Sequence, residues 1–312
     1  MRAALSKSAR LFGGQVLTNG RYATLLTASG TGCSLLGELA LTRWHADPLE
    51  DGDGFFLYLR DLDSGAFWSL GQQPAAGTAE RRSGRFGPAL TELLCRHEEI
   101  DACLEACVPA DIDGELRRVT LRNLGDRPRR IELTSYAEVV LNDWAADAAH
   151  PAFSKLFVQT EWVADTRALL ARRRPRVPDE PVCWLVHALT GETDHVESPH
   201  YETDRARFIG RGYTLAAPRA LVESAPLSGT VGKVLDPIVC LRRTVELAPG
   251  GEACLTFLLG AAANREQALA LAARHASAAA VEQAFRAASG GPTEPVSTRR
   301  IAAQTVISPP AF

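Results

Sequence analysis

An acidic, glycine-rich stretch lies between two aromatic runs near the N-terminus. It has the sequence DPLEDGDG over residues 47–54, with Trp44 before it and Phe55, Phe56 and Tyr58 after it. Carboxylates in such a loop could bind a metal ion, and its glycines could cradle a phosphate. Carboxylates beside aromatic rings could also bind a polar neutral ligand such as a sugar. The three chemistries place different demands on the neighbouring residues.

The stretch fits neither a calcium loop nor a phosphate loop. An EF-hand needs oxygen ligands at alternate early positions, but a start at Asp47 puts Leu49 third and a start at Asp51 puts Phe55 fifth. The glycines lead into a strand-like run rather than a helix N-terminus, and the carboxylates would repel phosphate. Two interpretations remain: a loop whose aromatic neighbours stack on sugar rings, or a solvated loop whose aromatic neighbours belong to the core.

A second segment, NDWAADAAHPAFSKLF over residues 142–157, is long for a hairpin loop. A catalytic interpretation pairs Asp147 with His150. However, no GxSxG motif accompanies them, because Ser154 lacks the glycines two positions before and after it. The alternative is a well-packed ordered loop or an interface. The remaining carboxylates are too many and too unspecific to define an acid and a base. The sequence therefore predicts no catalytic set.

Composition and charge exclude several classes of protein. The 34 Lys and Arg residues are outnumbered by 37 Asp and Glu, so the chain lacks the cationic excess of a nucleic-acid-binding protein. No apolar run approaches the roughly 18 residues of a membrane helix. The N-terminus lacks the apolar region of a signal peptide. We expect a cytoplasmic protein without direct membrane insertion.

The seven cysteines indicate a reducing compartment. Most lie among apolar neighbours, as is typical of reduced, buried cysteines; examples are Cys183, Cys240 and Cys254. One cluster consists of Cys95, Cys103 and Cys107. It lacks the paired Cys-x2-Cys spacing of a zinc site, and the addition of His97 does not complete a zinc-binding motif. We predict no metal site and no cofactor.

Alternating apolar and polar residues with frequent turn signals dominate the chain. Four hairpins are predicted, with turns at Asn19-Gly20, Asp63-Ser64-Gly65, residues 124–128 and residues 249–251. Further strands are predicted in CRHEEIDACLEACVP, SKLFVQTEWVAD, TRALLARRRPR, VCWLVHALTG and ARFIGRG. The predicted buried positions of the third hairpin are Leu116, Val119, Leu121, Ile131, Leu133 and Tyr136. This spacing of turns favours a mainly β fold, a large antiparallel β-sandwich, over βαβ units.

Helical composition follows Gly260. Asn264 is a candidate N-cap with Gln267 three places on, and Val281 and Phe285 are four residues apart on one helical face. We predict one or two C-terminal α-helices that close the domain. The predicted organisation is a mobile N-terminus over 1–10, the β-sandwich domain over 11–262, closing helices over 263–288 and an irregular tail over 289–312.

Eight blocks of sequence, in order over residues 11–288, resemble one known family. They are LTNGRYATLLTASGTGCS, LALTRWHAD, FFLYLRDLDSGAFWS, RRVTLRNLGDRPRRIELTSYAEVVL, AAHPAFSKLFVQTE, FIGRGYTLAAPRAL, LSGTVGKVLDPIVCLRRTVELAPGGEACLTFLLGAA and REQALALAARH. Together they resemble the N-terminal super-sandwich domain of family-94 glycoside hydrolases, in particular that of cyclic β-1,2-glucan synthases. One departure is that Cys33 and Leu35-Leu36 stand where the family has an aromatic residue and an arginine.

The resemblance implies a super-sandwich that precedes a linker helix and an (α/α)6 barrel. Family members are phosphorylases and related transferases that act on β-linked glucosides. Their barrel carries the general acid and the phosphate site, so no catalytic residue carries over to this chain. Their sandwich packs on the barrel, contributes to dimer contacts and lends loops to the substrate region. In the synthases the module follows a membrane-embedded part, which implies a place at the inner membrane.

The resemblance therefore implies a carbohydrate-binding accessory module that is inactive alone. Its expected partners are a β-glucan or glucose-containing oligosaccharide, an (α/α)6 catalytic barrel in cis or in trans, and a second copy of the chain. The alternative is a docking and dimerisation scaffold without sugar affinity; an independent enzyme would need an acid and a base on the sandwich. The candidate residues for stacking and hydroxyl bonding are Arg43, Trp44, Tyr58, Arg60, Asp61, Trp68, His150, Phe153 and Lys155.

Overall fold

The computed structural model describes residues 13–45, 51–77, 79–175, 182–190 and 199–289. Two large antiparallel sheets form a sandwich, which confirms the predicted fold class. The nine strands of the first sheet are β1 (Gly14–Thr18), β2 (Tyr22–Thr27), β3 (Gly32–Leu36), β4 (Leu39–Thr42), β5 (Phe56–Asp61), β6 (Phe67–Ser69), β11 (Arg129–Asp143), β15 (His200–Asp204) and β16 (Pro237–Leu247). The eight strands of the second sheet are β7 (Arg81–Phe86), β8 (Thr91–His97), β9 (Ile100–Cys107), β10 (Gly114–Asn123), β12 (Val158–Val163), β13 (Ala168–Arg173), β14 (Trp184–Thr190) and β17 (Glu252–Ala262).

Strand β11 organises the first sheet. It has β16 on one edge, and on the other edge it pairs with β5 along its first half and with β4 near its end. The order is β1-β2-β3-β4-β11-β16-β15, with β5 and β6 branching from β11. In the second sheet the order is β12-β13-β14-β17-β10-β9-β8-β7. Strand β4 therefore runs antiparallel beside the last residues of β11, with Leu39 opposite Asp143 and Thr42 opposite Val139.

The main core lies between the sheets. Alternate residues of β11, including Leu133 and Val139, pack against Val119 of β10 and Phe257 of β17, and all four are fully buried. All six predicted buried positions of the 114–136 region are buried, although Leu116 and Tyr136 point into two smaller clusters on the outer faces. Burial of such a leucine or valine side chain contributes about 1.5 to 3 kcal/mol, so this layer dominates the stability of the fold.

Two of the four predicted hairpins are confirmed and two are wrong. Turns at Asn19-Gly20 and at Asp63-Ser64-Gly65 join paired strands. The turns at 124–128 and 249–251 instead carry the chain from one sheet to the other, because β10 pairs with β9 and β17 while β16 pairs with β11 and β15. A turn motif specifies that the chain reverses, but not whether the returning strand joins the same sheet.

Short helices occupy two of the connections. The predicted strand ARFIGRG is wrong: it forms α3 (Arg205–Ile209), because Asp204 caps its start by accepting from Ala206 N and Gly210 ends it at a φ of 83°. The long segment after β11 contains α1 (Trp144–Ala149) and α2 (Pro151–Lys155). A single turn, α4 (Arg219–Val222), follows α3.

Two C-terminal helices cover the outer face of the second sheet. They are α5 (Arg265–Arg274) and α6 (Ala278–Ser289). The predicted N-cap is confirmed, because the Asn264 side chain accepts from Gln267 N at 2.9 Å. Val281 and Phe285 of α6, predicted to share one helical face, are both buried. The predicted N-terminal segment, and the tail beyond Ser289, lie outside the described residues.

The cysteines are reduced thiols that differ in exposure. Cys240 is buried as predicted and Cys183 is half-buried, but Cys254 is exposed, which corrects the prediction for that residue. Cys254 lies on the outer face of β17, where neighbouring residues alternate between the core and solvent. Within the described ranges no group of three or more His, Cys, Asp or Glu residues is placed to hold a metal ion. No helix in the same ranges is long and apolar enough to cross a membrane.

Candidate functional site

A depression lies on the outer face of the first sheet, where β4 runs beside the last residues of β11. It is shallow and open to solvent. The lining residues are Ala40, Thr42, Arg43, Trp44, His45, Val140, Trp144, Asp147 and Ala148. Thus the depression combines two tryptophans with a cation, a carboxylate and an imidazole.

The two tryptophans come from different parts of the chain. Trp44 follows β4, and Trp144 opens α1 directly after β11. Both are half-buried and pack on a small apolar cluster that includes Ala40 and Val140. Asp143 fixes the start of α1 by accepting from the first backbone N–H groups of the helix. The tryptophan rings are therefore supported from below while part of their surface faces the depression.

Arg43 forms the floor of the depression. It is 6 % exposed and binds two carboxylates at once. Its Nε donates to Glu138 Oε2 at 3.0 Å, and its Nη1 donates to Asp147 Oδ2 at 2.7 Å. Asp147, which the sequence paired with His150, is instead held by Arg43, and it is 7 % exposed. Arg43 thereby fixes α1 against the edge of β4 and β11.

Glu138 of β11 is the centre of a larger ionic cluster. Its Oε1 accepts from Arg205 Nε at 2.6 Å, and its Oε2 lies 3.9 Å from Lys155 Nζ. Lys155 and Arg205 also share Asp236, at 2.6 Å and 3.6 Å. Burial opposes ionisation of Glu138, but the attraction of Arg205, Lys155 and Arg43 outweighs it and lowers the pKa of this carboxyl below its usual value.

His45 and Asp53 form a pair at the rim of the depression. Asp53 Oδ2 accepts from the backbone N of His45 at 2.6 Å and lies 2.8 Å from its Nδ1. Burial raises the pKa of Asp53 above its usual value, and the contacts with His45 oppose the rise. Asp51 accepts from the Ser29 hydroxyl at 2.7 Å. Residues 47–50 of the acidic stretch lie outside the described ranges.

Three of the predicted site residues are built into the fold. Tyr58 is fully buried and donates through its hydroxyl to Leu215 O at 2.8 Å. The ring of Trp68 is 1 % exposed and stacks on His97, with 4.2 Å between centroids. Asp61 is 0 % exposed and accepts from Arg129 Nε at 2.8 Å. Their burial leaves no face on which a sugar could stack.

Of three further predicted residues, one is buried elsewhere and two are exposed at the surface. Arg60 is 8 % exposed and bonds the Ser224 hydroxyl, away from the depression. His150 is exposed between α1 and α2, and Phe153 is 54 % exposed with its edge toward Phe157. Of the nine predicted residues, the structure brings together Arg43, Trp44 and Lys155, around Glu138 and the depression.

Four residues of this region were not among the nine predicted site residues. Trp144 and Asp147 lie in a segment that the sequence had singled out, and Asp147 was considered there only as a catalytic partner of His150. His45 adjoins the predicted Arg43-Trp44 pair. Glu138 carried no signal, because it lies within the apolar run of a long strand and only pairing with β4 brings Arg43 beside it.

The arrangement offers groups that can recognise a ligand. General acid catalysis at neutral pH needs a carboxyl with a raised pKa facing the substrate beside an ionised one. Glu138 has a lowered pKa and Asp147 is bound to an arginine, while Asp53, whose pKa is raised, bonds His45. Aromatic faces together with anchored carboxylate and imidazole groups can bind the apolar face and the hydroxyls of a polyol.

The structure is an enlarged antiparallel β-sandwich with a shallow aromatic and polar depression on one outer face. Residues 11–278 match the model of the family described as "Glycosyl hydrolase 94, supersandwich domain". The chain therefore belongs to the supersandwich domain family of glycosyl hydrolase family 94, as its sequence blocks predicted.

The chain spans less than a third of the length of the relatives that it matches. It is 39% identical over 251 residues to the cyclic beta-(1,2)-glucan synthase NdvB of Rhizobium meliloti (strain 1021), covering 80% of this chain and 9% of the synthase. It is 26% identical to the solabiose phosphorylase of Paenibacillus borealis, covering 75% of this chain and 29% of the phosphorylase. A bacterial glucoamylase solved with acarbose superposes with a TM-score of 0.50 at 8% identity, over 84% of this chain and 33% of that chain, which shows the shared fold.

Proposed function

We propose that this chain is a carbohydrate-binding accessory module of a β-glucan-processing glycosyltransferase or phosphorylase and does not cleave or form glycosidic bonds by itself. The observation that carries the proposal is the depression in which Trp44 and Trp144 flank the Arg43–Asp147 pair. As part of such an enzyme the module would work in the cytoplasm, or at the inner membrane within a larger synthase.

The substrate class follows from the named relatives. One is a synthase of cyclic β-1,2-glucan, and the other is a phosphorylase whose name specifies a disaccharide. We therefore propose a neutral β-glucan or glucose-containing oligosaccharide as the ligand, with β-1,2-linked glucose as the first choice. The ionic groups near the depression are already paired with each other, which favours a neutral ligand over a charged one.

Affinity electrophoresis tests this function. The chain should migrate more slowly in a gel that contains linear β-1,2-glucan than in a gel without it, and millimolar sophorose should reverse the delay. The same preparation, incubated with sophorose and inorganic phosphate, should release no glucose 1-phosphate. Unchanged migration would contradict sugar binding, and release of glucose 1-phosphate would contradict the accessory role.

A second candidate function is docking to a separate (α/α)6 catalytic barrel or to a second copy. It is favoured by four exposed apolar side chains on two adjoining segments: Phe153 (54 %), Leu156 (51 %), Val231 (41 %) and Leu235 (78 %). The segments adjoin because Lys155 binds Asp236 and Thr160 pairs with Gly232. Exposed apolar groups at such density are typical of protein interfaces.

The docking function predicts a loss of association without a loss of folding. A Phe153→Ser/Leu235→Ser variant should keep its thermal midpoint but bind a separately expressed family-94 barrel, or itself, at least tenfold more weakly in analytical ultracentrifugation. The matched control is Val222→Ser, which changes an apolar side chain of similar exposure on α4. Equal association of the variant and the wild type would contradict docking through this patch.

A further inference from the structure

We infer that the depression is a subsite for a single glucosyl ring, with Trp44 and Trp144 contacting the ring and with Asp147 and His45 hydrogen-bonding its hydroxyls. This inference rests on the proposed carbohydrate-binding function and assigns it to particular atoms. It follows from four features of the depression: its shallow form, its aromatic walls, its anchored polar groups and its charge balance.

The depression is shallow and open to solvent. A sugar ring would therefore lie against it with one face and keep the other face in solvent, and a longer oligosaccharide would extend past the rim.

Part of each aromatic wall is left uncovered by the apolar cluster beneath it. The largest core aromatics, such as Tyr136 and Phe257, are at most 1 % exposed, while Trp44 and Trp144 are half-buried. A tryptophan combines a large apolar face with little conformational entropy to lose, so it suits the C–H face of a sugar. Two such rings on one depression give a ligand apolar contact from two elements.

The polar groups are fixed before a ligand arrives. Arg43 holds Asp147 through Oδ2 at 2.7 Å, while Oδ1 is 3.5 Å from Nη2 and keeps lone pairs available to a hydroxyl. Asp53 Oδ2 lies 2.8 Å from His45 Nδ1 and holds the imidazole in place, so Nε2 on the other side of the ring can hydrogen-bond a hydroxyl. Groups held by neighbours in this way lose little freedom on binding.

The charge balance selects a neutral ligand. Three cations and three carboxylates form the connected network beneath and beside the depression: Arg43, Lys155, Arg205, Glu138, Asp147 and Asp236. They cancel, so no cation is left over to neutralise a phosphate or a carboxylate of the ligand. Hydroxyl groups, which can both donate and accept hydrogen bonds, match the Asp147 and His45 groups that border the depression.

Tryptophan fluorescence of the full chain, titrated with sophorose and with inorganic phosphate, tests the inference. Sophorose should shift the emission of the wild type with saturation, and phosphate should not. Trp144→Ala should weaken sophorose binding about tenfold, which corresponds to the roughly 1.4 kcal/mol of one aromatic contact. His45→Ala changes an exposed side chain, so it should weaken binding severalfold while leaving the thermal midpoint unchanged.

The matched control is Trp184→Phe, which alters a half-buried tryptophan at the start of β14 that stacks with Arg172. It should keep wild-type affinity. If Trp144→Ala and His45→Ala bind sophorose as tightly as wild type, or if phosphate competes with sophorose, the subsite is wrong while carbohydrate binding stands. If wild type itself binds neither sophorose nor linear β-1,2-glucan, the proposed function fails together with the subsite.

Discussion

Replacing Glu115 by glutamine is expected to lower the free energy of unfolding by about 3 to 5 kcal/mol, the cost of leaving a buried charge without its partner. Glu115 and Arg117 are buried between the sheets, at 0 % and 1 % exposure. Arg117 Nε donates to Glu115 Oε2 at 2.7 Å, and its Nη1 donates to Phe55 O at 2.7 Å. Glutamine keeps the shape of the side chain but removes the negative charge.

The surroundings of the pair explain why water cannot solvate Arg117 in place of the Glu115 carboxylate. The Arg117 guanidinium lies 4.3 Å from the ring centroid of Phe55, and Tyr22 donates to Glu115 Oε1 at 3.0 Å. The hydroxyl of Ser34 also bonds Glu115 Oε1. These groups enclose both ends of the ion pair in protein, where an unpaired charge costs far more than it does in solvent.

Urea unfolding of the single and double variants measures the effect. Glu115→Gln/Arg117→Met removes both charges, so it should regain about 2 kcal/mol relative to Glu115→Gln alone. The exposed pair between Arg274 and Asp111 is the control, and Asp111→Asn should barely move the urea midpoint. A loss below about 1 kcal/mol for Glu115→Gln would contradict a desolvated Arg117.

The parts of the fold that the sequence predicted correctly are those encoded over short stretches. Asn19-Gly20 favours a tight turn through local backbone preferences, and the Asn264 cap needs only Gln267 three residues on. The choice of sheet is not local. The strands before and after residues 124–128 have an apolar alternation that fits pairing with each other as well as placement in opposite sheets. Competition among all the strands of the chain determines which sheet each strand joins.

The candidate site shows the same limit. Arg43 and Asp147 are 104 positions apart, and they meet because β4 pairs with the end of β11. Sequence patterns identified both segments but could not pair them. Tyr58 and Trp68 are residue types equally suitable for sugar contact, yet both rings are buried, Trp68 in the core between the sheets and Tyr58 in the outer-face cluster with Phe208. Residue type therefore suggested the chemistry, while strand pairing determined which residues could perform it.

A second expected result concerns the stability of the fold at low pH. Stability should fall by about 3 kcal/mol between pH 6.5 and pH 4 because of His187 alone. His187 of β14 is fully buried between the sheets, where its Nδ1 lies 2.9 Å from Leu258 O and its Nε2 lies 2.8 Å from the Ser135 hydroxyl. Burial lowers its pKa from 6.5 to about 4; the bond to Leu258 O opposes the shift, and the charge of Arg117 adds to it.

The sign follows from proton uptake. Between pH 6.5 and pH 4 the unfolded chain binds a proton on this histidine and the folded chain does not, so acid favours unfolding. The contribution is complete above pH 6.5, where both states are neutral, and it is lost as the pH falls toward 4. The ring of Phe55 stands 5.3 Å from that of His187 and contacts Arg117 on its other side, so a protonated imidazole would meet a second buried cation nearby.

Urea unfolding at several pH values, compared with His187→Gln, isolates this contribution. Glutamine does not titrate in this range, so the variant should have a flatter stability profile, whatever its absolute stability. Ser135→Ala removes the contact at Nε2 but leaves the imidazole buried, and because burial is the main cause of the shift, it should keep the steep profile. Parallel profiles for the wild type and His187→Gln would show that the imidazole is already solvated or protonated in the folded state. A flattened profile for Ser135→Ala would show that the hydrogen bond, and not desolvation, holds the histidine neutral.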